Sequence, residues 1–395
     1  MTSSLMHTLL FHPHALTHDG IERQRTYGIR SIGCWMCVWI TLHMAFIPCL
    51  FATDVYPGKT WSQQTPKQAG LEKSKLDAVA HYLEGRGYIT RNGIMVYEWG
   101  DASKRGDIAS AAKPFYSHLL FNAVEENKLP DLNTLVADFV PELKTLNPDL
   151  GHKDKSITFR HLANQISCYG VKEDPGSAFD YNDWQMALFW DALFLKVYQS
   201  DLDRVDRDVF HAKLTDPIQC QDEPTFLAFG KKDRAGRVGI SPRDFCRFGL
   251  LYLRQGKWKD QQILPSAVIY KATHKPLAPE FPRTSASEAE MLPGKRSIGS
   301  RNIPDDQTDH MGSYSWLWWI NGTNAKGKRL WPDAPDEVWT CLGHKNGKRG
   351  MAVIPELDIV MSWNDTKLDS MKEHPHPLNE VFKLIKESVM KNANP

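Results

Sequence analysis

Strand-like runs crowd the two ends of this chain and are sparse between them. Near the start, Tyr88-Ile-Thr-Arg91 and Ile94-Met-Val-Tyr-Glu-Trp99 flank Asn92-Gly93. That dipeptide tolerates positive φ at both positions, as a two-residue hairpin turn requires. Near the end come runs at 313–320, 338–342, 351–354 and 358–363, with Pro355-Glu-Leu357 turning the last two. The stretch between, about 111–300, carries helical and loop patterns. An isolated hairpin is marginal in water, so the two chain ends have to meet in one sheet. The expected fold class is α/β in the α+β sense: a mixed, mainly antiparallel sheet built from both chain ends, flanked by helices, with a mostly helical insertion.

Helix signals fit this frame. Leu71, Leu76, Val79, Ala80 and Leu83 share one helical face. Ser241-Pro242-Arg-Asp244 combines an N-cap serine, a first-position proline and an acid in the first turn. A further helix begins near Ser110, with Pro114 in its first turn, and 380–389 reads as a closing helix.

Ahead of the domain, 31–53 contains no Asp, Glu, Lys or Arg and follows Arg23, Arg25 and Arg30. A basic flank, an apolar run and a small residue at a cutting point (Ala52) describe a secretory signal, and the run is also long enough for a membrane anchor. A lipid-bearing Cys49 and a buried helix are weaker readings. The expected layout is an N-terminal extension (1–30), a signal or anchor (31–52), a linker (53–70) and one domain (71–395), with export to the periplasm or beyond. Of seven cysteines, Cys168, Cys220, Cys246 and Cys341 fall in the exported part, too far apart for a disulfide framework or zinc pattern. A net charge of +1 and no basic stripe argue against nucleic acid. His12-Pro-His14 and His374-Pro-His376 lack nearby carboxylates, so neither metal nor cofactor is expected.

Ser110-Ala-Ala-Lys113 places a hydroxyl and an amine one helical turn apart, as a nucleophile and its proton partner require. The spacing alone is weak, because Ser388-Val-Met-Lys391 matches it too. Context separates them. Only Ser110 is followed by Tyr181-Asn-Asp183 and then by Gly343-His-Lys-Asn-Gly347 just after a strand.

In these three motifs and their order, the chain resembles the serine β-lactamase and penicillin-recognising superfamily. It is most similar to the class C β-lactamase branch with its related esterases and D-alanyl peptidases. Ile157-Thr-Phe-Arg-His-Leu-Ala163, Arg237-Val-Gly-Ile-Ser-Pro-Arg-Asp244 and the final hairpin at 351–363 resemble the connecting stretches. The resemblance implies that Ser110 forms an acyl-enzyme and that Lys113 and Tyr181 handle its proton. Lys345 supplies positive charge, and the N–H groups of Ser110 and Lys348 form an oxyanion hole. It also implies that Asp183, His344, Asn346 and Gly347 face substrate, with Gly347 allowing close approach. Two residues depart from the pattern: Asp183 replaces an asparagine and Asn346 a threonine. They shift the expectation from efficient β-lactam hydrolysis toward ester or peptide hydrolysis of a small-molecule or peptidoglycan-like acyl substrate. The alternative is a cell-envelope binding module without turnover. The five tryptophans Trp316, Trp318, Trp319, Trp331 and Trp339 either line a cleft or fill the core.

Overall fold

The computed structural model describes residues 54–302, 308–372 and 376–390. The signal or anchor segment, His12, His14 and His374 lie outside the described residues. In chain order the helices are α1 (Lys73–Leu83), α2 (Lys113–Glu125), α3 (Phe159–Ala163), α4 (Asp183–Trp190), α5 (Pro242–Leu253), α6 (Ser266–His274) and α7 (Leu378–Ser388). The strands are β1 (Arg86–Arg91), β2 (Ile94–Trp99), β3 (Gly106–Asp107), β4 (Gly239–Ile240), β5 (Lys257–Trp258), β6 (Gln261–Gln262), β7 (Tyr314–Ser315), β8 (Trp318–Ile320), β9 (Trp339–Gly343), β10 (Arg349–Ile354) and β11 (Ile359–Asn364).

The main sheet runs β2-β1-β11-β10-β9-β8-β7. Every neighbouring strand pair in it is antiparallel, and a parallel bridge joins Gln63 to Met95 of β2, as expected of a mixed, mainly antiparallel sheet. The first hairpin meets the last strand directly, with Tyr88 opposite Ser362 and Ile89 opposite Met361. Asn92 and Gly93 both take positive φ (53° and 74°), which gives the tight turn the dipeptide predicts.

Alternation along the strands feeds two cores. Met351, Val353 and Val360 face α5 and the helical insertion, whereas Ala352, Ile354, Ile359, Met361 and Trp363 face α1 and α7. Helix α1 contributes Leu76, Val79 and Leu83 to the second core, and α7 contributes Val381, Phe382 and Ile385. At α5, Ser241 Oγ accepts the Asp244 N–H (3.2 Å), as its capping pattern predicts.

Two expectations change. The single strand at 313–320 is two short strands, β7 and β8, joined by a turn in which Trp316 and Leu317 have φ of 48° and 72°. The segment read as a linker is anchored on the domain at several points, although most of its residues are exposed. Trp61 is buried, its Nε1 donates to Arg243 O (3.2 Å), and buried Arg247 donates to Gly58 O (3.0 Å) and Lys59 O (3.2 Å). The long excursion at 275–302 also packs on the domain. Thr284 N–H bonds Phe179 O, Met291 is buried, and the Ile298–Asn302 region lies against α4. The four cysteines of the domain are free thiols.

Candidate active site

The turn that carries Ser110 is built from Asp107 upward. Strand β3 pairs with β4 (Asp107 opposite Gly239), and Ile108 N–H bonds Val238 O (3.0 Å). Asp107 Oδ1 accepts the Ala109 N–H (3.2 Å). Ala109 then adopts a φ of 53°, costly for a residue with a Cβ, and the chain winds through a 3-10 turn, Ala109–Ala112, into α2. Ser110 sits on that turn, partly exposed, and Lys113 begins the helix, almost wholly buried. Pro114 falls in the first turn, where no N–H is missed.

Lys113 Nζ donates to Ser110 Oγ (2.9 Å) and to Asp183 Oδ1 (2.7 Å), and lies 4.5 Å from the centre of the Tyr181 ring. Burial by itself pushes the Lys113 amine toward neutrality. The Asp183 charge and hydrogen bond, helped by Tyr181, outweigh it and hold the ammonium above its ordinary pKa. The partner shift is opposite. Burial opposes the Asp183 carboxylate, but Lys113, then Arg237 and the Ser300 N–H, hold its pKa below the ordinary value. The resting pair is therefore an ammonium and a carboxylate, and this ammonium has no lone pair with which to accept a proton.

Tyr181 and Asp183 owe their positions to the cap between them. Asn182 Oδ1 accepts the Gln185 N–H (2.8 Å), which starts α4 at Asp183. Asn182 Nδ2 turns inward to Asp180 Oδ2 (2.6 Å), and its N–H bonds Gln165 Oε1 (3.0 Å). The middle residue of the motif is thus a fastening, and its two neighbours present their side chains to Lys113. Tyr181 is flanked by Tyr314 and Trp319, at ring separations of 5.9 and 6.2 Å. Of the five tryptophans, Trp316, Trp318, Trp331 and Trp339 are buried in the cores, Trp316 packing on Phe121 at the far end of α2, and Trp319 stands beside Tyr181.

The third motif is placed differently from its expected role. Strand β9 ends at Gly343, and His344–Gly347 form a turn closed by Gly347 N–H to His344 O (3.2 Å). Asn346 is buried, its Nδ2 donating to Leu368 O (3.0 Å) and Met371 O (2.9 Å). Gly347 lies against Leu378 and Leu342, and its carbonyl accepts the Trp363 indole N–H (2.6 Å). Both pack toward residues of the second core, because a turn that reverses β9 into β10 has to bury its far side. Lys345 and His344 are exposed on this turn. The imidazole of His344 is held below its ordinary pKa by partial burial and then by Arg349, against Asp369 (Nδ1 to Oδ2, 3.4 Å). Lys348 fastens the same loop through its carbonyl, which accepts the Thr366 hydroxyl (2.9 Å).

Several residues take places at the site that the motifs do not announce. Gly343, not Gly347, is the glycine against the Ser110 turn: a Cβ there would lie 2.2 Å from Ile108 O and 3.2 Å from Ala111 N. Arg237 is buried and clasps Asp107 through Nε (3.0 Å) and Nη2 (2.7 Å), while Arg349 bonds Asp107 Oδ2 from β10. Ser300 N–H caps Asp183 Oδ2 (3.2 Å) from the long excursion. The serine of the second S-x-x-K match, Ser388, is buried in α7 and donates to Ile385 O (2.6 Å). Among the described residues, no group of three or more His, Cys, Asp or Glu side chains could hold a metal ion, and no helix is long and apolar enough to cross a membrane.

No family model and no curated protein matches the sequence. Solved structures do match. A β-lactamase-like protein from Bacteroides dorei aligns over 81% of this chain and 99% of its own at 13% identity, with a TM-score of 0.57. A protein from Bacillus anthracis described as a 6-aminohexanoate-dimer hydrolase aligns over 85% and 88% at 15% identity, with a TM-score of 0.54. A class C β-lactamase variant aligns over 81% and 97% at 11% identity, with a TM-score of 0.51. At such identities the likeness establishes a shared fold.

Proposed function

We propose that this chain, which has the fold of the serine β-lactamases and penicillin-binding proteins, is a serine acyl hydrolase acting on an ester, amide or lactam carbonyl. The observation that carries the reading is the Lys113 ammonium donating to Ser110 Oγ at the head of a buried helix, beside the Tyr181 ring. A serine so placed is oriented for attack, and the adjacent cation stabilises charge that builds on Oγ.

Because Asp183 keeps Lys113 protonated, the proton path runs through Tyr181. Ser110 Oγ bonds to the acyl carbon as its proton passes to the Tyr181 oxygen. The Tyr181 proton moves to the leaving group, whose bond to the acyl carbon breaks. Water then attacks the acyl-enzyme, its proton follows the same path back to Ser110 Oγ, and the acid leaves. The N–H of Ser110 and one from the segment 343–348 cradle the oxyanion, each donor worth about 3 kcal/mol of barrier. The neutral Lys113–Asp183 pair in place of a cation next to an amide favours uncharged esters and peptides over β-lactams. The charge-free stretch at 31–53 supports export.

Incubation with nitrocefin or a short-chain nitrophenyl ester should give a covalent adduct by intact mass. Ser110→Ala should abolish it, and an equal yield from that variant would sink the assignment. The ion pair also favours a second reading, a cell-envelope binding module without turnover. It predicts ligand-induced thermal stabilisation with no adduct, and steady-state turnover lost in Lys113→Met would rule it out.

A further inference from the structure

Away from Ser110, a groove of about 350 Å³ opens between α3, α6 and the β7–β8 turn, within the size range of small-molecule sites. Its walls carry three cations, Arg160, Lys271 and Lys275, around an apolar floor that includes Ile166, Leu277 and Trp316, and no carboxylate lines it. None of the three has an ion-pair partner among the described residues. Lys271 lies in the last turn of α6 and Lys275 follows its end, with Lys275 Nζ 5.5 Å from the Tyr270 ring. Lys271 Nζ stands 5.9 Å from the Trp316 ring.

The floor is held at a cost. Trp316 and Leu317 carry consecutive positive φ values, in a turn that ordinarily takes asparagine and glycine. Asn164 Oδ1 fixes the strained backbone by accepting the Trp316 N–H (3.1 Å), and the indole packs on Phe121. Asn164 is held in turn by donating to Arg160 O (3.0 Å). Strain of this kind persists where surrounding contacts over-determine it, and it clusters at ligand sites. Phe121 lies eight residues after Lys113 on α2, ~12 Å along the axis, so the groove is separate from the nucleophile.

We propose that this groove binds a small organic anion with a ring or short alkyl body: the cations take the charged group and the indole takes the apolar part. The chemistry is that of an aromatic or aliphatic carboxylate. Benzoate is the probe, titrated calorimetrically against the whole protein at low ionic strength, with benzyl alcohol and inorganic phosphate as controls. Benzoate should bind at least about tenfold more tightly than either control, and raising salt should weaken it. Reversing the exposed charges (Lys271→Glu with Lys275→Glu) should weaken benzoate by about tenfold or more, while the Ser110 adduct still forms. Circular dichroism should confirm the fold, and Lys275→Gln alone should give a smaller loss in the same direction. Equal benzoate affinity in the charge-reversed protein would overturn the proposal. So would equal binding of either control, or no heat up to about 10 mM benzoate.

Discussion

Asp183 occupies the third position of the Tyr181 motif, and its carboxylate sets the protonation of the residue beside the nucleophile. The Lys113 and Asp183 side chains are 2% and 8% exposed, so the pair lies where removing one partner strands the other. Asp183→Asn should lower stability at pH 7 by up to about 3–5 kcal/mol. The pH dependence follows from the shifts. The Asp183 contribution is present above the ordinary carboxylate value of 3.8 and is lost as pH falls toward its depressed pKa. The Lys113 contribution is present below 10.5 and is lost as pH rises through its raised pKa. Without Asp183, burial favours neutral Lys113, a protonation change that costs less as pH approaches 10.5. Urea denaturation should therefore show the gap between wild type and variant narrowing from pH 7 to pH 10; a constant gap would contradict the ion-pair account. The proton route has its own test. Tyr181→Phe should slow adduct formation about 10²- to 10⁴-fold with little loss of stability, and an unchanged rate would exclude Tyr181 as the relay. Sequence singles out Ser110, Lys113, Tyr181 and Asp183 because each belongs to a motif with a fixed spacing, and the fold brings Lys113 against the other three. Arg237 and Ser300 belong to none, and only the fold brings them to Asp183.

At the scale of elements, β9 and the Ser110 turn have to touch, and Gly343 is where they do. Gly343→Ala should force β9 away from Ile108 and cut adduct formation at least about 10²-fold, since a displacement near 1 Å suffices for that. Gly347→Ala should do the reverse. That glycine has a φ of 76° and faces Leu378, so the substitution should cost about 1 kcal/mol or more of stability and spare most of the rate. Stopped-flow acylation and chemical denaturation on both variants check the pair, and the opposite pattern would restore Gly347 to the substrate side. Both glycines were visible in the sequence. Their roles were not, because spacing locates a turn without saying which side of it is buried. The hairpin at Asn92-Gly93 was legible for the opposite reason: its φ demand is local.

For the whole molecule, the strap at 54–70 tests whether the domain begins where its first helix does. Trp61 stacks 5.7 Å from Tyr88 and lies beneath Arg247, at 5.3 Å. Trp61→Ala should therefore cost about 3–5 kcal/mol, as a buried aromatic does. A free linker would show less than about 0.5 kcal/mol, and guanidinium denaturation distinguishes the two. Proline, glycine and glutamine made the strap look like a linker, because composition reports local freedom and nothing of Arg247, nearly two hundred residues away in sequence. The single sheet drawn from both ends, the inserted helices, the capped helix at Ser241 and the nucleophile helix follow from patterning within a dozen residues, where periodicity and capping act. Which glycine meets the Ser110 turn, which face of the Gly343–Gly347 segment is buried, that Lys113 stays protonated and that three cations without an ion-pair partner among the described residues line the groove at Trp316 depend on burial and on charges brought together from distant segments. Those quantities exist only once the chain has folded.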